Sequence, residues 1–308
     1  MPKKLLDIFV PADVPKEMHK EYISNYQAIT RNTENVMLFA CDQKIEHLNQ
    51  SFVSPDIDQE ILNPEHLFYI ASHGTISAMA TQLGLVARYG LHYNNINYII
   101  KLNSKTDIIT PIEKDPRSEQ LWSVYDVITL KKQTGLSIRG IGYTLYMGSE
   151  FEWIMIKEAA QAIFQAHQNG LIAILWIYTE GRQVTDDQDP MIIISAAGVA
   201  TALGSDFAIL KAPRNTYDKT GDEWLALAGQ AAGNTKLICS GGSKTDPEDF
   251  LKELHEQIHI GKNHGSATGR NIFQRSRKEA IAFTKAISAV VLDNKSIDQA
   301  LEIFNNHA

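Results

Sequence analysis

A short apolar run, Phe207 to Leu210, ends on a lysine, Lys211, inside the stretch DFAILKAPRNTY at 206–217. A run of this length bounded by turn residues reads as a buried strand, and Ala212-Pro213 ends it. Lysine is almost never fully buried without a reason. At a strand end its ammonium is partly stripped of water, which lowers its pKa and frees the neutral amine that adds to carbonyls to give Schiff bases. The plainer role is a side chain that snorkels to the rim and pairs with an acid such as Asp206. On this stretch alone the plainer role is favoured, because structural lysines far outnumber nucleophilic ones.

Other apolar runs deliver further reactive side chains at their ends. VMLFAC at 36–41 leads into Asp42, Lys44, Glu46 and His47, NYIIKL at 97–102 carries Lys101, and the run 171–177 contains Trp176 and is followed by Tyr178. Two more runs end in Ser240-Gly241-Gly242 and in Gly269-Arg270. Together they supply a lysine for an imine, a second cation at Lys101 that would help keep Lys211 neutral, a carboxylate and a phenol for proton transfer, and two anion sites. Each has a structural alternative. Asp42 can simply pair with a lysine, Tyr178 can be core with a satisfied hydroxyl, and the glycines can form a plain turn. Glycines also let backbone N–H groups approach an oxyanion, and a guanidinium beside a helix start suits phosphate. As a set the residues describe a Schiff-base aldolase on a phosphorylated substrate. The imine does the work a metal does elsewhere, so no cofactor is expected. HEQIH at 255–259 matches a zinc-protease pattern, but no third ligand follows it and an outer helix carries it, so it reads as coincidence.

These residues must be held by the elements that precede them. Strands are expected at 36–41, 75–80, 97–102, 138–145, 171–177, 207–210 and 236–239, with GSATGRN at 265–271 as a short eighth strand and turn. Helices are expected at 65–72, 118–134, after a Ser149/Glu152 capping box, and around 190–203, 222–232 and 247–260. A long helical region follows from Asn271, with Ser296 and Gln299 capping its last helix. Strand and helix alternate about eight times without a composition break. The expectation is a single-domain (β/α)8 TIM barrel over 1–308, with 1–35 as an N-terminal helical extension. An open doubly wound sheet fits less well, since no G-x-G-x-x-G follows the first strand. In a barrel the chemistry sits at the C-terminal strand ends, and the loops after strands seven and eight commonly hold phosphate.

With 44% hydrophobic and 21% charged residues the composition is that of a soluble globular protein. A formal net charge of -7 and the lack of a long Lys/Arg block argue against nucleic acid as a partner. No segment approaches the roughly 20 apolar residues of a membrane span, and Asp7 and Pro11 interrupt the N-terminal apolar run. Two cysteines, Cys41 and Cys239, give no disulfide framework, and a cytoplasmic location is expected.

LFACDQKIEH, YIIKLNSKT, GYTLYMGSEFEW, AILWIYTEG, SDFAILKA, CSGGSKT and GRNIFQR resemble, in order and spacing, the archaeal-type class I fructose-1,6-bisphosphate aldolases of the DeoC/LacD group. The resemblance runs over roughly 34–290. It implies that Lys211 is the Schiff-base lysine, Tyr178 the proton-transferring tyrosine, Trp176 its neighbour and Asp42 the first-strand aspartate. It further implies that Ser240, Gly241, Gly242, Gly269 and Arg270 form the phosphate loops, that Lys101 is the family's third-strand lysine, and that the protein is a homo-oligomer, often a decamer. Two departures stand out: Asp42 is followed by Gln43-Lys44 where the family has His-Gly, and Lys211 by Ala212 where it has tyrosine. Arg214, just beyond, could bind a second phosphate or lie idle on the surface. Alternatives are a related lyase or transferase on another sugar phosphate, of the aminodeoxyheptulosonate synthase or signal-phosphate thiolase kind, or a sugar-phosphate binder without turnover.

Overall fold

The computed structural model describes residues 8–46, 49–52, 59–106, 108 and 115–308. His47, Pro55 and Pro111, as well as 1–7 of the N-terminal extension, lie outside the described residues. Eight parallel strands close on themselves: β1 Val36–Ala40, β2 Ala78–Gln82, β3 Tyr98–Lys101, β4 Ile138–Tyr146, β5 Ile172–Tyr178, β6 Phe207–Leu210, β7 Lys236–Ser240 and β8 Gly265–Thr268. Each pairs with its sequence neighbours, and Val36 to Phe39 of β1 pair with Gly265 to Thr268 of β8 to shut the ring. This is the (β/α)8 barrel that the alternation of elements calls for.

The helices follow in order. His19–Thr30 (α1) precedes the barrel; Glu65–His73 (α2), Leu83–Tyr89 (α3), Val124–Thr134 (α4), Glu152–His167 (α5), Pro190–Ala202 (α6), Gly221–Ala232 (α7) and Pro247–His259 (α8) each follow one strand. Arg270–Phe273 (α9), Arg277–Val291 (α10) and Ile297–His307 (α11) complete the chain. Ser296 and Gln299 form the capping box expected for α11. Leu83–Tyr89 was not anticipated; Gly84 inside it lowers its helical signal.

Three boundaries differ from the sequence reading for identifiable reasons. Strand β2 lies two to three residues later than 75–80, so Gln82 rather than Ala80 stands at its end. The helix expected at 118–134 begins only at Val124. Ser123 and Asp126 cap it reciprocally, while Leu121 and Trp122 donate their N–H groups to the Leu102 carbonyl and Glu119–Gln120 pairs with Asn103–Ser104. Ser149 does not cap α5: its hydroxyl donates to the Pro116 carbonyl at 2.6 Å and accepts from the Phe151 N–H, and Glu152 accepts from the Gly148 N–H. The helix start therefore slips past the serine to Phe151.

Helix α1 seals the barrel's N-terminal end. Tyr22, Tyr26 and Ile29 continue the apolar cluster formed inside the barrel by Val36, Leu38, Ala78, Ile99, Ile172 and Phe207. The Tyr26 ring stacks on Phe207 at 5.5 Å, and the Tyr22 hydroxyl donates to Asp206. Asp206 is thus at the opposite end of β6 from Lys211, five residues away at about 3.3 Å each, and cannot be its partner. Its other oxygen accepts from the Ala173 N–H at 2.8 Å and bonds His167 Nε2 at 3.1 Å, while His167 Nδ1 meets Asp13 at 2.9 Å. Burial alone would lower the His167 pKa, but the hydrogen bonds and charges of Asp206 and Asp13 outweigh it and push it up to about 9.

A histidine with a raised folded pKa stabilises the fold fully below its ordinary value of 6.5, and the contribution disappears as pH rises through about 9. At about 1.4 kcal/mol per pH unit, that gap amounts to roughly 3 kcal/mol. Thermal unfolding followed by circular dichroism should show the wild-type melting temperature falling between pH 6.5 and 9.5, with a clearly shallower slope in His167→Gln. Equal slopes would mean that the imidazole is not charged in the folded protein.

Candidate active site

Strand residues two apart share a face, and the inner faces of five strands lead to candidate residues. Ile99 precedes Lys101, Ile174 precedes Trp176 and Tyr178, Phe207 and Ile209 precede Lys211, and Ile238 precedes Ser240. Leu38 leads the same register to Asp42, which lies just beyond β1. At the C-terminal mouth of the barrel, Asp42, Trp176, Tyr178, Lys211, Ser240, Gly241, Gly242, Gly269 and Arg270 all line one cavity of about 530 Å³. Lys101 is the exception among the candidates, because it is fully buried behind this lining.

Lys211 reaches the cavity with 27% of its side chain exposed, and its Nζ stands 6.0 Å from the Tyr178 ring centroid. It is not the neutral amine that partial burial alone would produce. Nζ donates to Glu180 Oε1 at 3.0 Å and also to Asp187 Oδ2. Burial works to lower the lysine's pKa, yet the two carboxylates outweigh it and hold the pKa above the ordinary lysine value. In the free protein Lys211 is an ammonium.

Nor does Lys101 act as the second cation that discharges Lys211. Its Nζ lies 3.2 Å from Asp42 Oδ2, donates to Thr144 Oγ1 and sits 3.9 Å above the Trp176 ring. Its charge is spent on fixing Asp42 in the cavity lining. Gly142 makes this packing possible: a Cβ there would come within 2.5 Å of the Trp176 ring and 2.9 Å of Lys101 Cδ. Gln82, at the shifted end of β2, adds a hydrogen bond from its amide to the Asp42 carbonyl at 2.9 Å.

Tyr178 stacks on Tyr146 at 5.6 Å. Burial, followed by the negative charges of Asp42, Glu46 and Glu180, raises its pKa well above the usual phenol range, so the hydroxyl carries its proton at neutral pH. Glu46 is itself buried and accepts from Tyr146 and Ser104, while Lys44 turns away to donate to the Leu62 carbonyl.

Opposite the carboxylates, the turn after β7 is shaped for an anion. Gly242 has φ +60, which favours glycine, and Asn271 bridges the Gly241 and Ser243 carbonyls at 2.7 Å each while its Oδ1 accepts from the Thr245 N–H. The carbonyls are thereby tied back. The Arg270 guanidinium lines the same cavity and makes no hydrogen bond or ion pair with any described residue. An unspent cation beside a glycine turn suits a phosphate.

Glu180 and Asp187 were missed at the sequence level. Glu180 was within reach, since it stands two positions past Tyr178 and keeps the same register; Asp187 has no local signal. Arg214 proves to be paired with Asp186, which leaves it occupied on the surface. The His255 and His259 rings lie against each other, tilted by 45°, on α8 among the outer helices. No helix among the described residues is long and apolar enough to cross a membrane.

Comparison with known proteins gives a consistent picture. A protein of Methanocaldococcus jannaschii described as fructose-bisphosphate aldolase/6-deoxy-5-ketofructose 1-phosphate synthase is 48% identical over 303 residues, 98% of this chain and 96% of its own. The solved fructose-bisphosphate aldolase of Slackia heliotrinireducens superimposes with a TM-score of 0.95 at 48% identity, covering 98% and 95% of the two chains. An archaeal fructose-1,6-bisphosphate aldolase, solved with its catalytic lysine bound to a carbinolamine intermediate, superimposes at 0.74 with 28% identity over 88% of this chain and 99% of that one. Residues 36–275 match the model of the DeoC/LacD family aldolases. The chain is an aldolase and belongs to the DeoC/LacD family.

Proposed function

We propose that the protein is a class I aldolase that cleaves and forms fructose 1,6-bisphosphate through an imine on Lys211. The observation that carries this reading is the position of the Lys211 amine, which shares one cavity with Tyr178 on one side and the Gly241 turn with Arg270 on the other. The names of its relatives support the substrate.

In this scheme the phosphate of the three-carbon half lies against Ser240, Gly241, Gly242, Gly269 and Arg270. The Lys211 amine adds to the C2 ketone to give a carbinolamine. Tyr178, which starts protonated, gives its proton to the departing hydroxyl, so that water leaves and a cationic imine forms. The resulting phenolate, now beside a cation, takes the C4 hydroxyl proton; the C3–C4 bond breaks into the imine and glyceraldehyde 3-phosphate leaves. Tyr178 then returns the proton to C3 of the enamine, and hydrolysis frees dihydroxyacetone phosphate and restores the phenol. Asp42, fixed by Lys101, orients the carbinolamine from below, and Trp176 walls the site.

The test is borohydride reduction in the presence of a panel of ketose phosphates, followed by peptide mass spectrometry. A mass increment on Lys211 is expected with fructose 1,6-bisphosphate and with dihydroxyacetone phosphate. An increment only with other ketose phosphates would replace the substrate, and an increment on another lysine would replace the nucleophile.

A further inference from the structure

Building on the Lys211 imine reading, we infer that Glu180 is a catalytic residue: it takes the proton that Lys211 must lose before it can attack, and stores it while the imine exists. An ammonium has no lone pair, so the resting state of Lys211 has to be discharged in every turnover. The groups otherwise placed for proton transfer cannot do this. Tyr178 already holds its proton, and Asp42 is engaged with Lys101 at 3.2 Å. Among the described residues, the bases that touch Nζ are Glu180 at 3.0 Å and Asp187.

Of these two, Glu180 is better placed. It follows β5 directly, two residues beyond Tyr178, so the rigid barrel wall carries both. Asp187 lies farther along the same loop and is more exposed, 43% against 33% of the side chain, with its backbone carbonyl held by Thr179 Oγ1. Glu180 also acts electrostatically on Tyr178, since its charge is among those that keep the phenol protonated. The step balances without an outside reagent. The N–H bond of the ammonium breaks and its proton joins a Glu180 oxygen, leaving a neutral amine and a neutral carboxyl group. Loss of the Glu180 charge then eases formation of the Tyr178 phenolate in the next step. When hydrolysis releases the amine, the proton returns and the ion pair re-forms.

Two roles for Glu180 predict opposite signs. If it only clamps Lys211 as an ammonium, Glu180→Gln removes a charge that favours protonation and imine formation speeds up. If it is the proton acceptor, Glu180→Gln slows imine formation by about 10- to 100-fold at pH 7. The rate then rises with pH as free amine becomes available from solvent, and Glu180→Asp recovers part of the loss. The measurement is rapid-quench borohydride trapping with dihydroxyacetone phosphate across pH 6 to 10, on the unchanged protein, Glu180→Gln, Glu180→Asp and Asp187→Asn. Unchanged or faster trapping in Glu180→Gln overturns the assignment, as does a larger loss in Asp187→Asn. Absence of a Lys211 adduct in the unchanged protein would instead sink the imine reading itself, so the two failures are distinguishable.

Discussion

Replacing Lys211 by methionine should abolish both turnover and borohydride trapping while leaving the barrel folded. A reaction that runs through a covalent imine has no substitute for its amine, so the expected loss is at least about 10⁴-fold, as for other covalent nucleophiles. Methionine fills a similar volume with an unbranched chain, which separates the chemical effect from packing. The partners it abandons, Glu180 and Asp187, are about a third to two-fifths exposed and can be hydrated, so little stability is at stake. An unchanged melting curve together with a dead enzyme is the expected pair of observations. The rival amine to weigh first is Lys101, and it is fully buried, paired with Asp42 and covered by Trp176. Trapping that survives in Lys211→Met would require Lys101 to break out of that arrangement, and would overturn the assignment of the nucleophile.

The contrast between the two lysines shows what sequence could and could not reveal. Both end an apolar strand, and from the chain alone each is a cation at a barrel mouth. The sequence placed both at strand ends, as it did Trp176, Tyr178 and Ser240, and in the structure the two-residue register puts all of them on the inner face. That much is local, because a two-residue repeat fixes direction without knowledge of the neighbours. Which inner residue opens to the cavity is not local. It depends on Gly142 of the adjoining strand, whose missing side chain lets Lys101 and Trp176 sink into the wall. The charge state of Lys211 is likewise set from outside its own segment, by Glu180 and Asp187 across the strand boundary. Burial pointed to a lowered pKa and acts in that direction, but two carboxylates on a neighbouring loop reverse the net effect. The same logic explains the displaced start of α4. Its pattern is helical from 118 onward, yet the backbone N–H groups of Leu121 and Trp122 find the Leu102 carbonyl and Glu119 finds a strand partner.

Tyr178→Phe should lower kcat by about 10²- to 10⁴-fold, the usual weight of a positioned acid or base. The ring is retained, so its stacking on Tyr146 and the cavity wall persist, and KM should change far less than kcat. The more telling readout is the exchange of the C3 proton of dihydroxyacetone phosphate with deuterated solvent, followed by proton NMR. The Tyr178 phenolate removes and returns that proton in the scheme above, so exchange should fall with kcat. Imine trapping slows as well, because the phenol also protonates the departing hydroxyl, but it should survive at long incubation times, since water can replace an acid more readily than a base held over one carbon. This order sets Tyr178 apart from both of its neighbours: loss of Lys211 removes trapping at any time, and loss of Glu180 delays it in a way that higher pH relieves. If C3 exchange in Tyr178→Phe stays within about threefold of the unchanged enzyme, far below the effect expected of a proton-transfer residue, the proton at C3 is handled by another group and Asp42 becomes the residue to test.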